Sequence, residues 1–178
     1  MPTYQIWNGS DMIEIEVPQL HGEATPVPVA AALLFRDDTR SELLLQTRDD
    51  DGPAAGLYEL PGGIWRAGES PLIALEREVL EETGLGLVGG APSEKMSEAQ
   101  ERRPIVASHP AVVVTGVASA YPVLILAYEV VAMPGEPRGE PGESRDPTFH
   151  AVEAVKEMLT RPTQFTGPTF AILDSYLG

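Results

Sequence analysis

Residues 63–85 read GIWRAGESPLIALEREVLEETGL, and the second part of this stretch carries the clearest helix signals in the chain. Ser70 suits the N-cap position, and Pro71 follows at the first helical position, where a missing N–H costs nothing. Gly84 suits the position just after a helix, where the backbone often turns left-handed. The sequence therefore predicts a helix from Pro71 to Thr83.

The predicted helix carries three acidic side chains on one face. Because Glu78, Glu81 and Glu82 are spaced three and four residues apart, they point to the same side of a helix. Apolar residues stand on both flanks of that face: Leu72, Leu75 and Val79 on one, and Ile73 and Leu80 on the other. A helix with two apolar flanks is expected to pack on more than one side, which predicts that the acidic face lines a cleft.

Carboxylates at this spacing repel each other, and the repulsion grows in a partly desolvated cleft. Either raised pKa values or a bound cation would relieve it. Carboxylate and carbonyl oxygens suit Mg²⁺ or Mn²⁺, and Mg²⁺ commonly takes further ligands from substrate phosphates. The residue types thus favour metal-dependent phosphate chemistry, while the carboxylates alone also fit a solvated acidic surface.

The spacing around the helix resembles the signature of the Nudix hydrolases. Gly63 is followed after five residues by Glu69, and after seven more by the run REVLEETGL over residues 77–85. Every specified position of that signature is matched. The lead-in YELPGG over residues 58–63 is also similar to the segment that precedes it in the family.

This resemblance implies a fold and a reaction. The fold is expected to be α+β, an α/β/α sandwich with a mixed β-sheet between helices and a loop–helix–loop formed by the signature. The reaction is expected to be hydrolysis of the pyrophosphate of a nucleoside diphosphate linked to another moiety X, with Mg²⁺ (or Mn²⁺) as cofactor. The metal would neutralise phosphate charge and lower the pKa of an attacking water.

Carried over by position, the resemblance assigns the metal ligands. It makes Glu78 and Glu82 ligands, Glu81 a further ligand, and the main-chain carbonyl of Gly62 an additional one.

The resemblance also implies catalytic roles for residues other than the metal ligands. Arg77 would orient the carboxylates by charge-assisted hydrogen bonds, and Glu69 would brace the helix or bind metal through water. Some family members take a general base from a loop beyond the signature, and Glu143 is the candidate here, with Glu140 and Glu136 nearby. A loop that is simply solvated is the alternative.

Trp65 and Tyr58 are the candidate substrate-binding aromatics, because aromatic rings stack well on nucleobases. Places in the hydrophobic core are the alternative for both residues.

Other elements follow from apolar patterns and turn residues. Asn8-Gly9 between Tyr4–Trp7 and Met12–Val17 predicts a hairpin. Residues 1–24 are thus expected to form an N-terminal hairpin extension, and residues 25–178 the Nudix hydrolase domain. Within the domain the sequence predicts strands at Val29–Phe35, Glu42–Thr47 and Tyr58–Leu60, a possible strand at Leu85–Val88, a possible short helix around Ser93–Glu101, a mobile loop at Met133–Pro147, and helices at Ala151–Leu159 and Thr169–Leu177.

Ala111 to Tyr128 is uncharged and approaches the length of a membrane span. Polar, glycine and proline residues interrupt its middle, which predicts two buried strands, the second running to about Val131. Met1 to Ser10 lacks a signal-peptide pattern, so a cytoplasmic protein without a membrane partner is expected.

Composition limits the partners. The chain has 178 residues, a length typical of one domain, and 12 Lys+Arg against 27 Asp+Glu give a net charge of -15. That balance argues against nucleic acid as a partner, because such partners bind basic surfaces. There are no cysteines, which excludes thiolate nucleophiles and cysteine-based metal sites.

The sequence does not fix the substrate. The hairpin in front of the domain favours an ADP-ribose or nucleotide-sugar type of substrate, since similar strands in ADP-ribose-hydrolysing relatives help form a dimer and part of the substrate pocket. A homodimer is therefore possible. The alternatives are a house-cleaning hydrolase of nucleoside triphosphates or dinucleoside polyphosphates, and a non-catalytic nucleotide-sensing module.

Overall fold

The computed structural model describes residues 3–7, 12–16, 19–20, 23–24, 26–66, 69–89, 95–98, 104–118 and 121–178. The strands are β1 (Thr3–Trp7), β2 (Met12–Glu16), β3 (Gln19–Leu20), β4 (Glu23–Ala24), β5 (Val27–Phe35), β6 (Glu42–Arg48), β7 (Tyr58–Glu59), β8 (Gly62–Ile64), β9 (Lys95–Glu98), β10 (Pro104–Ala107), β11 (Val112–Ala118), β12 (Tyr121–Val131) and β13 (Ser144–Ala151). The helices are α1 (Pro71–Thr83), α2 (Val152–Leu159) and α3 (Gly167–Leu177), with a 3-10 turn at Pro162–Gln164.

Seven strands form the central sheet. Its order is β11-β12-β5-β6-β13, with β7 paired to β6 and β8 paired to β5. Strands β12 and β5 run parallel, whereas the other pairings of this sheet are antiparallel. The predicted mixed sheet is confirmed.

Alternation along β5 divides the core into two halves. Ala32 and Leu34 face one side, in a cluster that includes Leu72, Leu75 and Val79 of α1. Leu33 and Phe35, which alternate with them, face the other side of the sheet. They belong to a cluster that includes Val155 of α2 and Ile172 and Leu173 of α3. The sheet therefore lies between helices, as the α+β sandwich prediction requires.

Helix α1 has the predicted bounds. The Ser70 side chain accepts a hydrogen bond from the Ile73 N–H, and Gly84 has φ 68°. One flank of α1 is buried, but Ile73 and Leu80 on the other flank are 53% and 54% exposed. The prediction of a second packed flank was wrong, because the sheet covers only one side of the helix.

Two segments differ from the sequence expectation beyond α1. Within the predicted helix around Ser93–Glu101, residues Lys95–Glu98 are strand β9, paired with β10, so that prediction was wrong there, and the rest of the range lies outside the described residues. Leu85–Val88 contributes a single bridge, Leu87 to Ala132. In both places long-range pairing decided the structure over weak local preference.

The described part of the uncharged stretch Ala111 to Tyr128 contributes strands β11 and β12, which confirms the two predicted strands, and the two pair antiparallel. The prediction that both are buried was wrong for β11, where Val113 is 55% exposed, because β11 is an edge strand of the sheet. Among the residues that the structure describes, no helix is long and apolar enough to cross a membrane.

The predicted loop Met133–Pro147 ends earlier than expected, since β13 begins at Ser144 and pairs with β6. Its first part is tied to the end of α1. The Met133 N–H donates to the Gly86 carbonyl at 2.7 Å, and the Arg138 N–H donates to the Thr83 carbonyl at 2.8 Å. The segment thus runs beside the C-terminal end of α1.

Strands β1 and β2 pair antiparallel with Trp7 opposite Met12, which confirms the predicted pair of strands. The turn residues Asn8-Gly9 lie outside the described residues.

Gly62 is placed where a side chain has no room. Its φ is +152°, and a Cβ would overlap the Ala30 carbonyl oxygen and lie 2.7 Å from the Ala31 Cα on β5. Because the obstacle is backbone, it cannot move aside. Glycine at this position lets β8 pair with β5.

Gly62→Ala is expected to lower the free energy of unfolding by about 2–4 kcal/mol, since it adds both a backbone clash and an unfavourable φ. Gly116→Ala on β11 is the matched control, because a Cβ there meets nothing within 4 Å, and it should leave stability unchanged or raise it by up to about 1 kcal/mol. Chemical denaturation of both variants measures the difference. Equal stabilities would contradict the assigned close approach.

Candidate active site

Glycine at position 63 brings the strand and the acidic helix together. Strand β8 packs beside α1, and a Cβ on Gly63 would lie 2.5 Å from the Glu78 carboxylate carbon. The missing side chain therefore leaves the space that the Glu78 carboxylate occupies. Burial raises the pKa of Glu78, and hydrogen bonding to Arg77 opposes that rise.

Arg77 is the hub of the charged groups on α1. Its Nε and Nη2 donate to the two carboxylate oxygens of Glu69 at 2.8 and 3.0 Å. Its Nη1 donates to Glu78 at 2.6 Å and to Glu81 at 3.0 Å, and its Nη2 also reaches the Ile64 carbonyl at 3.2 Å. One cation thus neutralises part of the repulsion among three carboxylates.

Glu69 is fixed in its ionised form. Hydrogen bonds from Arg77, and then from the Arg66 N–H, lower the pKa of Glu69 to about 2. Both of its carboxylate oxygens accept bonds from Arg77. This geometry fits the bracing role that the sequence predicted for Glu69.

Glu82 is the most deeply buried carboxylate of the helix, with 8% exposure. Its Oε2 accepts from the Gly62 N–H at 3.0 Å and from the Gln46 Nε2 at 2.8 Å. Burial raises the pKa of Glu82 to about 8, although both hydrogen bonds favour the ionised form. The resemblance predicted the Gly62 carbonyl as a metal ligand, and the contact between Gly62 and Glu82 in the structure is made by the Gly62 N–H.

Sequence reasoning missed two polar residues behind Glu82. Gln46 is fully buried on β6, and Glu59 is its partner on β7. The Gln46 amide hydrogen-bonds Glu59, whose pKa is raised by burial, and Arg48 pairs with Glu59 at 3.1 Å. The sequence did carry a signal for Gln46. In a strand of leucines it shares a face with Leu44, which indicates a polar side chain in the core.

Ser144 joins the end of α1 to the following loop. Its buried hydroxyl donates to the Glu82 carbonyl at 2.8 Å and accepts from the Glu140 N–H at 2.9 Å. Glu143 is exposed, and its carbonyl accepts from the Asp49 N–H at 3.0 Å. Among the contacts of the described residues, none joins the Glu143 side chain to the α1 carboxylates.

The two candidate aromatics lie on different sides of the sheet. Trp65 packs against the core half that contains α1, and its indole Nε1 is buried without a hydrogen-bond partner among the described residues. Tyr58 packs on the other half, with ring centroids 5.9 Å from Phe165 and 6.0 Å from His150. The structure brings Trp65 to the side of the acidic helix and does not bring Tyr58 there.

The carboxylate oxygens of the site are suitable ligands for a divalent cation. The described residues contain no group of three acidic or histidine side chains already converged on one point, since Arg77, Gln46 and the Gly62 N–H hold the carboxylates. Glu78 and Glu82 nevertheless offer carboxylates whose ionised forms burial disfavours. A cation would favour those ionised forms, and the buried acceptor Gln46 Oε1 has no donor within the described part of the chain.

Glu82 predicts a pH dependence of stability in the presence of a chelator. The folded protein holds the Glu82 proton up to about pH 8, whereas the unfolded chain releases it near 4.5, so stability falls as pH rises through this window. The Tm of wild type relative to Glu82→Gln should fall by about 5 °C or more between these limits. Glu76→Gln, on the same helix, should follow wild type, and parallel curves for wild type and Glu82→Gln would contradict the buried carboxylate.

Comparisons with known proteins identify the family. The family model of the NUDIX domain matches residues 25–167. A MutT NUDIX hydrolase from Burkholderia pseudomallei is 25% identical, with 84% of this chain and 97% of that chain covered and a TM-score of 0.59. A MutT protein from Methanosarcina mazei is 23% identical, with 84% and 94% covered and a TM-score of 0.60.

A NUDIX-family hydrolase from Clostridium perfringens shares the fold at 16% identity, with 86% of this chain and 97% of that chain covered and a TM-score of 0.58. The family match spans most of the chain, and it contains the helix, the paired glycines and every acidic residue described above. This chain therefore belongs to the Nudix family and is a pyrophosphohydrolase that acts on nucleoside diphosphate derivatives.

Proposed function

We propose that this protein is a Mg²⁺-dependent hydrolase, also served by Mn²⁺, that cleaves the pyrophosphate of a nucleoside diphosphate linked to a moiety X. The observation that carries the proposal is the burial of Glu78 and Glu82 against the glycine pair at residues 62–63. Two desolvated carboxylates at one place are costly to an apo fold, and a divalent ion offsets that cost.

The acidic residues of α1 hold the ion in this proposal. Glu78 and Glu82 would be ligands, Glu81 would be a further ligand from a more exposed position, and the Gly62 carbonyl would add another oxygen. When bound, the ion neutralises diphosphate charge and lowers the pKa of a water. Arg77 orients the Glu78 and Glu81 carboxylates through hydrogen bonds from Nη1, and Glu69 fixes Arg77 through two hydrogen bonds.

The general base is assigned to the loop before β13. Glu143 is exposed, no ion pair among the described residues involves it, and its carbonyl accepts a hydrogen bond from the Asp49 N–H beside the end of β6. Its carboxylate accepts a proton from the attacking water once the side chain turns towards α1. Glu140 is the neighbouring carboxylate that would replace it.

An ADP-ribose or nucleotide-sugar type of substrate is the proposed class, and Trp65 is the proposed contact for its base. The proposal includes residues 1–24 as a separate hairpin extension that supports a homodimer, and a cytoplasmic location remains a prediction. A sensing module without turnover is disfavoured, because it has no need of desolvated carboxylates that repel each other.

Removing either buried carboxylate should abolish turnover. Glu78→Gln and Glu82→Gln are each expected to lower kcat by about 100-fold or more, since even indirect partners of a metal ligand cost 10–100-fold. Glu76→Gln, on the same helix but two residues from Glu78 and so facing away, should retain wild-type kcat. Formation of the monophosphate products with Mg²⁺ measures all three, and wild-type turnover in Glu82→Gln or in excess chelator would refute the metal role.

A substrate panel in ¹⁸O-labelled water identifies the compound and the phosphorus attacked. ADP-ribose and nucleotide sugars are expected to give the highest kcat/KM, with label in one of the two monophosphate products. Preference for a nucleoside triphosphate or a dinucleoside polyphosphate would overturn the substrate class while leaving the hydrolase assignment in place.

A further inference from the structure

Gln46 is a buried polar residue on a strand rich in leucine. Strand β6 places leucines immediately before it, and its side chain is fully buried on the face that packs towards α1. Burying an amide is unfavourable unless its donors and acceptor find partners. A leucine would fill the same face without that requirement.

The amide nitrogen of Gln46 does find partners, and both are carboxylates. Nε2 donates to Glu82 Oε2 at 2.8 Å and also hydrogen-bonds Glu59 across the β6–β7 pair. Glu59 is held from outside by the Arg48 guanidinium at 3.1 Å. The position of the amide is therefore set by two paired strands, and the amide in turn fixes the Glu82 carboxylate.

The amide oxygen of Gln46 has no donor among the described residues, although the atom is buried. Once Glu82 is ionised as a metal ligand it cannot donate, so this acceptor needs another donor. Water held by a divalent cation is a strong donor, and Mg²⁺ usually keeps several waters.

We propose that Gln46 is a positioning residue: its Nε2 hydrogen bond orients the Glu82 carboxylate towards the divalent ion, and its Oε1 accepts from a water held at the site. The inference rests on the proposed function, because it assigns an indirect role behind a proposed ligand. Indirect partners of this kind fix the direction of a ligand, and their loss typically weakens metal binding by about 10–100-fold.

Gln46→Met tests this role, because methionine has a similar length and volume and lacks the amide. Mn²⁺ binding to the full chain without substrate is followed by the EPR signal of free Mn²⁺ at one fixed pH. We expect Gln46→Met to weaken Mn²⁺ binding by about 10-fold or more and to raise the half-activating Mn²⁺ concentration by a similar factor.

Leu44→Met is the matched control, since Leu44 is equally buried on the same strand face and makes no polar contact with Glu82. It should bind Mn²⁺ with wild-type affinity. Equal weakening in Leu44→Met and Gln46→Met would attribute the effect to packing and overturn the inference, as would wild-type affinity in Gln46→Met.

Folding is checked by thermal melting in chelator. If Gln46→Met fails to fold, Gln46→Asn replaces it, because asparagine keeps the amide but is one methylene too short to reach Glu82, and the same loss of Mn²⁺ affinity is expected. Glu82→Gln distinguishes failure of the metal site from failure of the role of Gln46. If Glu82→Gln binds Mn²⁺ like wild type, the proposed metal site itself fails; if only Gln46 variants bind normally, the role of Gln46 alone is overturned.

Discussion

The close approach of the backbone at residues 62–63 to strand β5 and helix α1 is the constraint on which the site depends. Gly62 fits against Ala30 and Ala31 only because it has no side chain, and Gly63 leaves room for the Glu78 carboxylate. The same approach brings the Gly62 N–H to Glu82. Sheet pairing and the acidic helix are therefore positioned by one short segment.

That arrangement places acidic groups where burial disfavours their charge. Two different polar networks hold these groups. On the outer side, the Arg77 guanidinium binds Glu69, Glu78 and Glu81. On the inner side, the Gln46 amide donates to Glu82. The outer network is partly open to solvent, whereas the inner one is enclosed, and burial there raises the pKa of Glu82 to about 8.

Local signals predicted much of this architecture correctly. The bounds of α1 follow from Ser70, Pro71 and Gly84, whose effects act within one turn of the helix. Predictions that depended on tertiary contacts were less accurate. The flank of Ile73 and Leu80 is exposed because the sheet covers one side of α1 only, and Lys95–Glu98 is a strand through pairing with β10.

The sequence by itself determined the family, the acidic helix and strands β5, β6, β7, β11 and β12, because residue spacing and apolar alternation are properties of short segments. Strands β8 and β13 were not predicted, and they form by pairing with β5 and β6. Only the tertiary structure decided that Tyr58 packs away from the carboxylates while Gln46 lies against Glu82. Tyr58 and Gln46 stand on adjoining strands whose register sets the face of each side chain, and register depends on contacts between residues far apart in the chain.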